Sequence, residues 1–313
     1  MTTRIALGCM GFSGVYGKVD EAQAIVVVHA AIERGVSLID TGDFYAFGHN
    51  ELLVGRAIAG RRDQVKLSVK FGGLRGPDNT WGGFDGRPAS VKNFLGYSLV
   101  RLGVDHIDIY RPARLDPDVP IEDTIGAIAD LVKAGFVRAI GLSEVGPETI
   151  RRAAKVHPIE DLQIEYSIAS RGPEDAIFPL LGALGIGATL YGVLSRGLLS
   201  ASPIGVGDAR AHMPRFSGEH RGANERLVAG LQRLARQWGI TPSQLAIGWV
   251  LAKQPAFTPT LGMRTLAQLD EALAAAPLTA EQVAEVERVF PRDAVAGTRY
   301  AASQMAVLDS ERR

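Results

Sequence analysis

Along most of the chain, short runs of consecutive apolar residues alternate with longer stretches in which apolar residues recur at helical spacing. The runs "IALGC" (5–9), "VSLID" (36–40), "QVKLSVK" (64–70), "HIDIY" (106–110), "VRAIGLS" (137–143), "IEDLQIEYS" (159–167), "IGATLYG" (186–192) and "AFTPTLG" (256–262) predict strands. Helices are predicted between them. "DEAQAIVVVHAAIERG" (20–35) opens on acidic residues and stops at glycine, and "PASVKNFLGYSLVRLG" (88–103) has proline near its start and glycine at its end. "NELLVGRAIAG" (50–60), "IEDTIGAIADLVKAG" (121–135) and the stretches 147–156, 175–184, 224–237 and 265–275 complete the set.

Eight strand–helix pairs with no linker of disordered composition predict an α/β fold: a single (β/α)8 TIM barrel occupying 1–313 as one domain. The helical stretches 241–253 and 279–290 are additions to the ring. A doubly wound sheet is the alternative; it would need a glycine-rich dinucleotide turn after an early strand, and "GCMGFSGVYGK" lacks that spacing.

Composition narrows the function. Lys plus Arg and Asp plus Glu number 34 each, so no global field recruits nucleic acid or an anionic membrane. One cysteine, Cys9, excludes an internal disulfide and a thiolate metal cluster and fits a reducing compartment. The start "MTTRIALGC" becomes charged too soon for a secretory signal, so a cytoplasmic location is expected. Residues 177–194 carry no charge, yet their glycines, proline and "LGIG" turn fit a buried helix followed by a buried strand better than a membrane span.

In a parallel barrel, chemistry gathers at the carboxyl ends of the strands. There lie Asp40 with "TGDFY", Lys70, the segment Arg111–Arg114, Ser143, Glu144, Gln163, Tyr191 and "GMR" (262–264). Asp40 and Lys70 end neighbouring strands and are expected to pair, and Tyr45 lies far enough into its loop to turn back over the mouth. A tyrosine beside an ammonium has its phenolate stabilised and can donate a proton to a carbonyl oxygen. Each of these residues alone has a structural explanation, as a cap, a packed ring or a surface charge. Metal-binding spacing and a nucleophile elbow are both absent from the sequence.

The segments "LGCMGFSGVYG", "LIDTGDFY", "GHNELLVGRAI", "VKLSVKFG", "LVRLGVDHIDIY", "LVKAGFVRAIGLSEV", "LQIEYS", "LYGVLSRGLL", "LAIGWVLA" and "AVAGTRY" resemble, in order, the aldo-keto reductase family. The likeness is greatest to its longer bacterial members similar to potassium-channel β-subunits and auxin-induced reductases. The resemblance implies that Asp40, Tyr45 and Lys70 fill three places of the catalytic tetrad. Ala113 stands where the family has histidine, with Arg111 and Arg114 as nearby polar candidates. It further implies NADP(H), with NAD(H) as an alternative. Gly8, Met10 and Gly11 would approach the nicotinamide, Ser143 and Gln163 would hold its carboxamide, and Tyr191 would stack on its ring. Arg196 would meet the pyrophosphate, and Gly262, Arg264, Gln268 and Glu271 the adenosine end. Met263 and Ala272 depart from the family there.

The expected function is NADP(H)-dependent interconversion of an aldehyde or ketone and its alcohol, on a small-molecule substrate. A cofactor-sensing regulatory or scaffold protein is the alternative that Ala113 motivates. The loops 72–88 and 200–222 are expected to shape the pocket. Trp81, Phe84 and Phe216 would be apolar walls and Arg75, Asp78 and Arg111 polar selectors, for a medium-sized carbonyl compound with an apolar or aromatic portion and at least one polar group.

Overall fold

The structure, a computed structural model, describes residues 3–14, 17, 20–200, 202 and 208–312. Eight parallel strands close into a barrel: β1 (Ala6–Gly8), β2 (Leu38–Gly42), β3 (Lys66–Phe71), β6 (Ile107–Pro112), β7 (Val137–Ser143), β8 (Ile159–Glu165), β9 (Gly187–Tyr191) and β10 (Thr258–Leu261). They run in chain order around the ring, with β1 paired to β10. The expected (β/α)8 TIM barrel is therefore present. Every apolar run of the sequence holds one of its strands.

The strands are surrounded by α1 (Glu21–Glu33), α2 (His49–Ile58), α3 (Pro88–Leu102), α4 (Ile121–Lys133), α5 (Pro147–Val156), α6 (Ile177–Leu184), α7 (Gly218–Gln237), α8 (Pro242–Lys253), α9 (Leu266–Leu273) and α10 (Ala280–Val289). Their ends follow local chemistry: Asp20 caps α1 from its side chain, and Thr241 and Thr279 form capping boxes at α8 and α10. The uncharged stretch 177–194 divides into α6 and β9 at Gly185, whose φ of +66° suits glycine. Among the described residues no helix is long and apolar enough to cross a membrane.

Two features differ from the sequence reading. The stretch 241–253 reads in sequence as an addition to the ring, yet α8 is buried continuously from Leu245 to Leu251, with Trp249 stacked on Tyr166 5.4 Å away. A helix apolar on all sides belongs between layers, and α7 and α10 pack against α8. Second, the loop 72–88 contains an antiparallel hairpin, β4 (Gly73–Arg75) and β5 (Trp81–Phe84). In the loop 200–222, residues 201 and 203–207 lie outside the described residues.

Candidate active site

Strand register assembles the polar residues at one end of the barrel. Gly42 pairs with Lys70, Lys70 with Arg111, Ser143 with Gln163 and Glu165 with Tyr191. Lys70, 4% exposed as a residue, holds its ammonium 2.5 Å from Asp40 Oδ2. Asp40 Oδ1 accepts from Ser68 Oγ and from Gln163 Nε2, each at 2.8 Å. Burial pushes the Lys70 ammonium below its ordinary pKa; Asp40 opposes this and Arg111 adds to it. Buried charges need partners, and here the carboxylate and the ammonium supply each other's.

Tyr45 reaches this pair through an unusual loop. Ala46 and Phe47 have φ of +46° and +55°, and Gly48 follows at +86°. Two non-glycine residues in left-handed backbone are unfavourable, by roughly 1–2 kcal/mol each, so other contacts must hold the turn. Asn50 is the staple: it donates to Cys9 O at 2.8 Å and Ser13 Oγ at 2.7 Å and accepts from Thr41 Oγ1 at 2.7 Å. The turn brings the Tyr45 ring centroid within 5.1 Å of Lys70 Nζ, inside the range for attraction between a cation and an aromatic face. The Phe44 ring meets it edge-on at 4.9 Å.

Arg111 does not face the mouth. It is fully buried inside the barrel, paired with Asp161 at 2.9 Å and donating to Ser68 Oγ at 3.0 Å. Gly141 makes room, since a Cβ there would lie 3.0 Å from the guanidinium carbon. The expectation that Arg111 replaces the histidine or selects substrates is corrected by this geometry: it is a structural cation beneath Lys70, linked to Asp40 through Ser68.

Ala113 is 1% exposed at the end of β6, and beside it Arg114 takes the mouth position. The Arg114 partners are neutral: Ala113 O at 2.6 Å, Ser143 Oγ and Tyr300 OH at 3.4 Å, and Tyr191 OH at 3.5 Å. Tyr191 OH in turn donates to Glu144 Oε1 at 2.8 Å. Burial pushes the Glu144 carboxyl up, but Arg299, then Arg114, outweigh it and hold the group well below the usual carboxylate range. Arg196, in a turn after β9, lies with its guanidinium 4.4 Å from the Tyr300 ring centroid. Glu144, Arg299 and Tyr300 were given no role from sequence. Their signal was the "TRY" near the chain's end, which no local pattern ties to strand ends 109 and 155 residues earlier.

The remaining expected residues form two groups. Gly8 ends β1 tightly against β10, where a Cβ would meet Thr260 Cγ2 at 3.4 Å, and Met10 and Gly11 lie in the turn that follows. Gly262 and Arg264 follow β10, and the Arg264 N–H donates to Gln268 Oε1 at 2.8 Å at the start of α9. Glu271, one turn on, gives its carbonyl to Gln244 Nε2 at 3.3 Å. Met263 and Ala272, the two departures, are both buried in the core.

Behind the Tyr45 loop sits Asp43, buried, with Oδ1 lacking a hydrogen bond and Oδ2 accepting from Gly72 N at 3.2 Å. Burial, then the neighbouring Glu51, pushes its carboxyl up to about 7. The folded chain thus holds a proton that the unfolded chain releases near 3.8. This contribution to stability is complete below about pH 4 and is lost as pH rises through 7. Asp43→Asn, neutral throughout, is expected to raise the unfolding midpoint by a few degrees at pH 8 and by much less at pH 5. Thermal unfolding at the two pH values checks this; equal shifts at both would refute it.

The aldo/keto reductase family model matches residues 4–290. A probable aldo-keto reductase 1 of Glycine max is 37% identical over 309 residues, covering 95% of this chain and 88% of that protein. Among solved structures, a glycerol dehydrogenase from Gluconobacter oxydans superposes with a TM-score of 0.83 at 27% identity, covering 92% of this chain and 91% of that one. An aldo/keto reductase from Klebsiella pneumoniae, in complex with NADP and acetate, gives 0.74 at 25% identity, covering 96% and 95%. With the buried Lys70–Asp40 pair and the closed parallel barrel, these likenesses agree: the chain belongs to the aldo/keto reductase family and is an oxidoreductase of carbonyls and alcohols.

Proposed function

We propose that the protein reduces an aldehyde or ketone with NADPH, and runs the reverse oxidation, with Tyr45 as the proton-transferring group. The observation that carries this reading is the buried ammonium of Lys70, fixed by Asp40 at 2.5 Å and lying 5.1 Å from the Tyr45 ring centroid. As the carbonyl oxygen gains charge, the Tyr45 hydroxyl gives up its proton, and the phenolate left behind faces the ammonium in a water-poor setting. Asp40 keeps that ammonium in place. Ala113 offers no donor, so the substrate oxygen relies more heavily on Tyr45.

The donor set fits a nicotinamide dinucleotide. Cationic Arg264 stands at the start of α9, Arg196 follows β9, and the Ser143 hydroxyl and Tyr191 ring lie at the mouth. That cofactor would supply the hydride. A relative of the same fold holds NADP, which supports the assignment. Gln163 donates to Asp40 here, so its amide would serve the Asp40–Lys70 pair as well as a carboxamide.

Rapid mixing of the protein and NADPH with a panel of aldehydes and ketones, without oxygen, tests the reading. Loss of NADPH absorbance in a single turnover is expected. Tight NADPH binding with no hydride transfer to any class would favour the second reading, a cofactor sensor, for which the buried Ala113 is the supporting observation.

The substrate's apolar wall is proposed to come from the hairpin. Trp81 meets Phe44 edge-on at 5.9 Å and Phe84 at 5.2 Å, so an aromatic row runs from β5 to Tyr45. Phe216 is excluded from it, packing instead against Leu198 and Val228. Asp78 is occupied within its turn by Thr80, while Arg75 covers Trp81 at 5.6 Å. Trp81→Ala is expected to lower kcat/KM for aromatic aldehydes about tenfold relative to short aliphatic ones. An unchanged ratio across the two classes would remove Trp81 from the pocket.

A further inference from the structure

The proposed nicotinamide platform is completed by residues from the far end of the chain. Arg299, 7% exposed, grips both oxygens of Glu144, the residue after Ser143, at 2.5 and 2.9 Å, and reaches Glu165 Oε2 at 3.3 Å. Glu144 has a φ of +53°, a conformation its own preferences disfavour. Side-chain ties therefore have to fix it. Ser310 supplies two more, Oγ to Glu144 Oε2 at 2.6 Å and N to Glu144 O at 3.2 Å, while Asp309 Oδ2 accepts from Gly146 N at 2.8 Å. The C-terminal segment is thus fastened to the turn that follows β7, at Glu144 and Gly146.

Tyr300 does the same for β9. Its hydroxyl lies 3.0 Å from that of Tyr191. Because Tyr191 commits its hydrogen to Glu144, Tyr300 is the donor in that contact. The Tyr300 ring in turn lies under the Arg196 guanidinium at 4.4 Å. One aromatic residue of the C-terminal segment therefore ties together the strand-end tyrosine, Arg114 and the turn that carries Arg196.

We infer that Arg299 and Tyr300 are positioning residues for the nicotinamide end of the site: they fix where the Tyr191 side chain lies and the Ser143–Glu144 corner before the cofactor arrives. The inference rests on the platform reading proposed above. Its physical basis is that hydride delivery requires an angle as well as an affinity, and a strand-end tyrosine tied at its hydroxyl has the position and direction of its ring axis fixed in advance.

The test uses the full chain and two variants, Tyr300→Phe and Arg299→Lys, the second because an ammonium cannot grip both carboxylate oxygens as a guanidinium does. Calorimetry measures NADPH and 2′-phospho-ADP-ribose, which lacks the nicotinamide. The wild-type protein is expected to bind NADPH more tightly than the fragment. Each variant is expected to weaken NADPH by about three- to tenfold, the worth of one hydrogen bond, and to leave the fragment's affinity nearly as it was. Unchanged NADPH affinity in both variants, or an equal loss for both ligands, would overturn the positioning role. A wild-type protein that binds the two ligands equally would overturn the platform reading, and the inference with it.

Discussion

Tyr45→Phe should lower the single-turnover rate of NADPH oxidation by about 10²–10⁴-fold while leaving NADPH affinity within a few-fold of wild type. The range is that of a positioned general acid, and two features of this site place the expectation toward its upper part. Ala113 offers the substrate oxygen nothing in place of the Tyr45 proton. Arg114, the residue next to Ala113, is engaged by Ser143, Tyr191 and Tyr300. The phenylalanine keeps the ring that faces Lys70 and the edge contact to Phe44, so the loop through Ala46 and Phe47 retains its packing. Loss of rate with retained binding is therefore a chemical effect. Rapid-mixing absorbance with an active aldehyde, together with an NADPH titration, checks it; a variant within tenfold of the wild-type rate would refute Tyr45 as the required acid.

What the sequence made legible follows from which forces act locally. Buried parallel strands read as short apolar runs whatever surrounds them, so each barrel strand was found and only its ends moved, as from 106–110 to Ile107–Pro112. Asp40 and Lys70 were readable as a pair because neighbouring strands in this architecture bring their ends together. The hairpin Gly73–Phe84 was not readable: its strands are short and glycine-rich, and its closure depends on the Phe44 and Trp81 rings meeting where Gly73 has no side chain. Arg111 was misplaced for a related reason. An arginine at a strand end looks like a mouth residue until Gly141 and Asp161, on strands further along the chain, are seen to make a chamber for it. Glu144 and Arg299 show the extreme case. Glu144 reads in sequence only as a polar residue at a strand end and Arg299 only as part of "AVAGTRY", and their buried pairing depends on the C-terminal segment returning to the end of β7.

The second large effect concerns that chamber. Arg111→Leu is expected to lower the stability of the fold by about 3–5 kcal/mol, because it leaves Asp161 buried with its guanidinium partner gone. Thr189 Oγ1 still donates to Asp161 at 2.9 Å, but one hydroxyl does not compensate a full charge. If the loss comes from the stranded carboxylate, and not from the missing arginine bonds to Ser68 and Leu142, then removing both charges should undo most of it. The double variant Arg111→Leu/Asp161→Leu is therefore expected to be more stable than Arg111→Leu by about 2 kcal/mol or more, since apolar replacement of a buried pair is often close to neutral. Denaturant unfolding of the wild type, both single variants and the double variant closes the cycle. A single variant within about 1 kcal/mol of wild type would show that the carboxylate finds other relief. A double variant no better than the single would place the loss in the bonds that Arg111 makes to the strands around it.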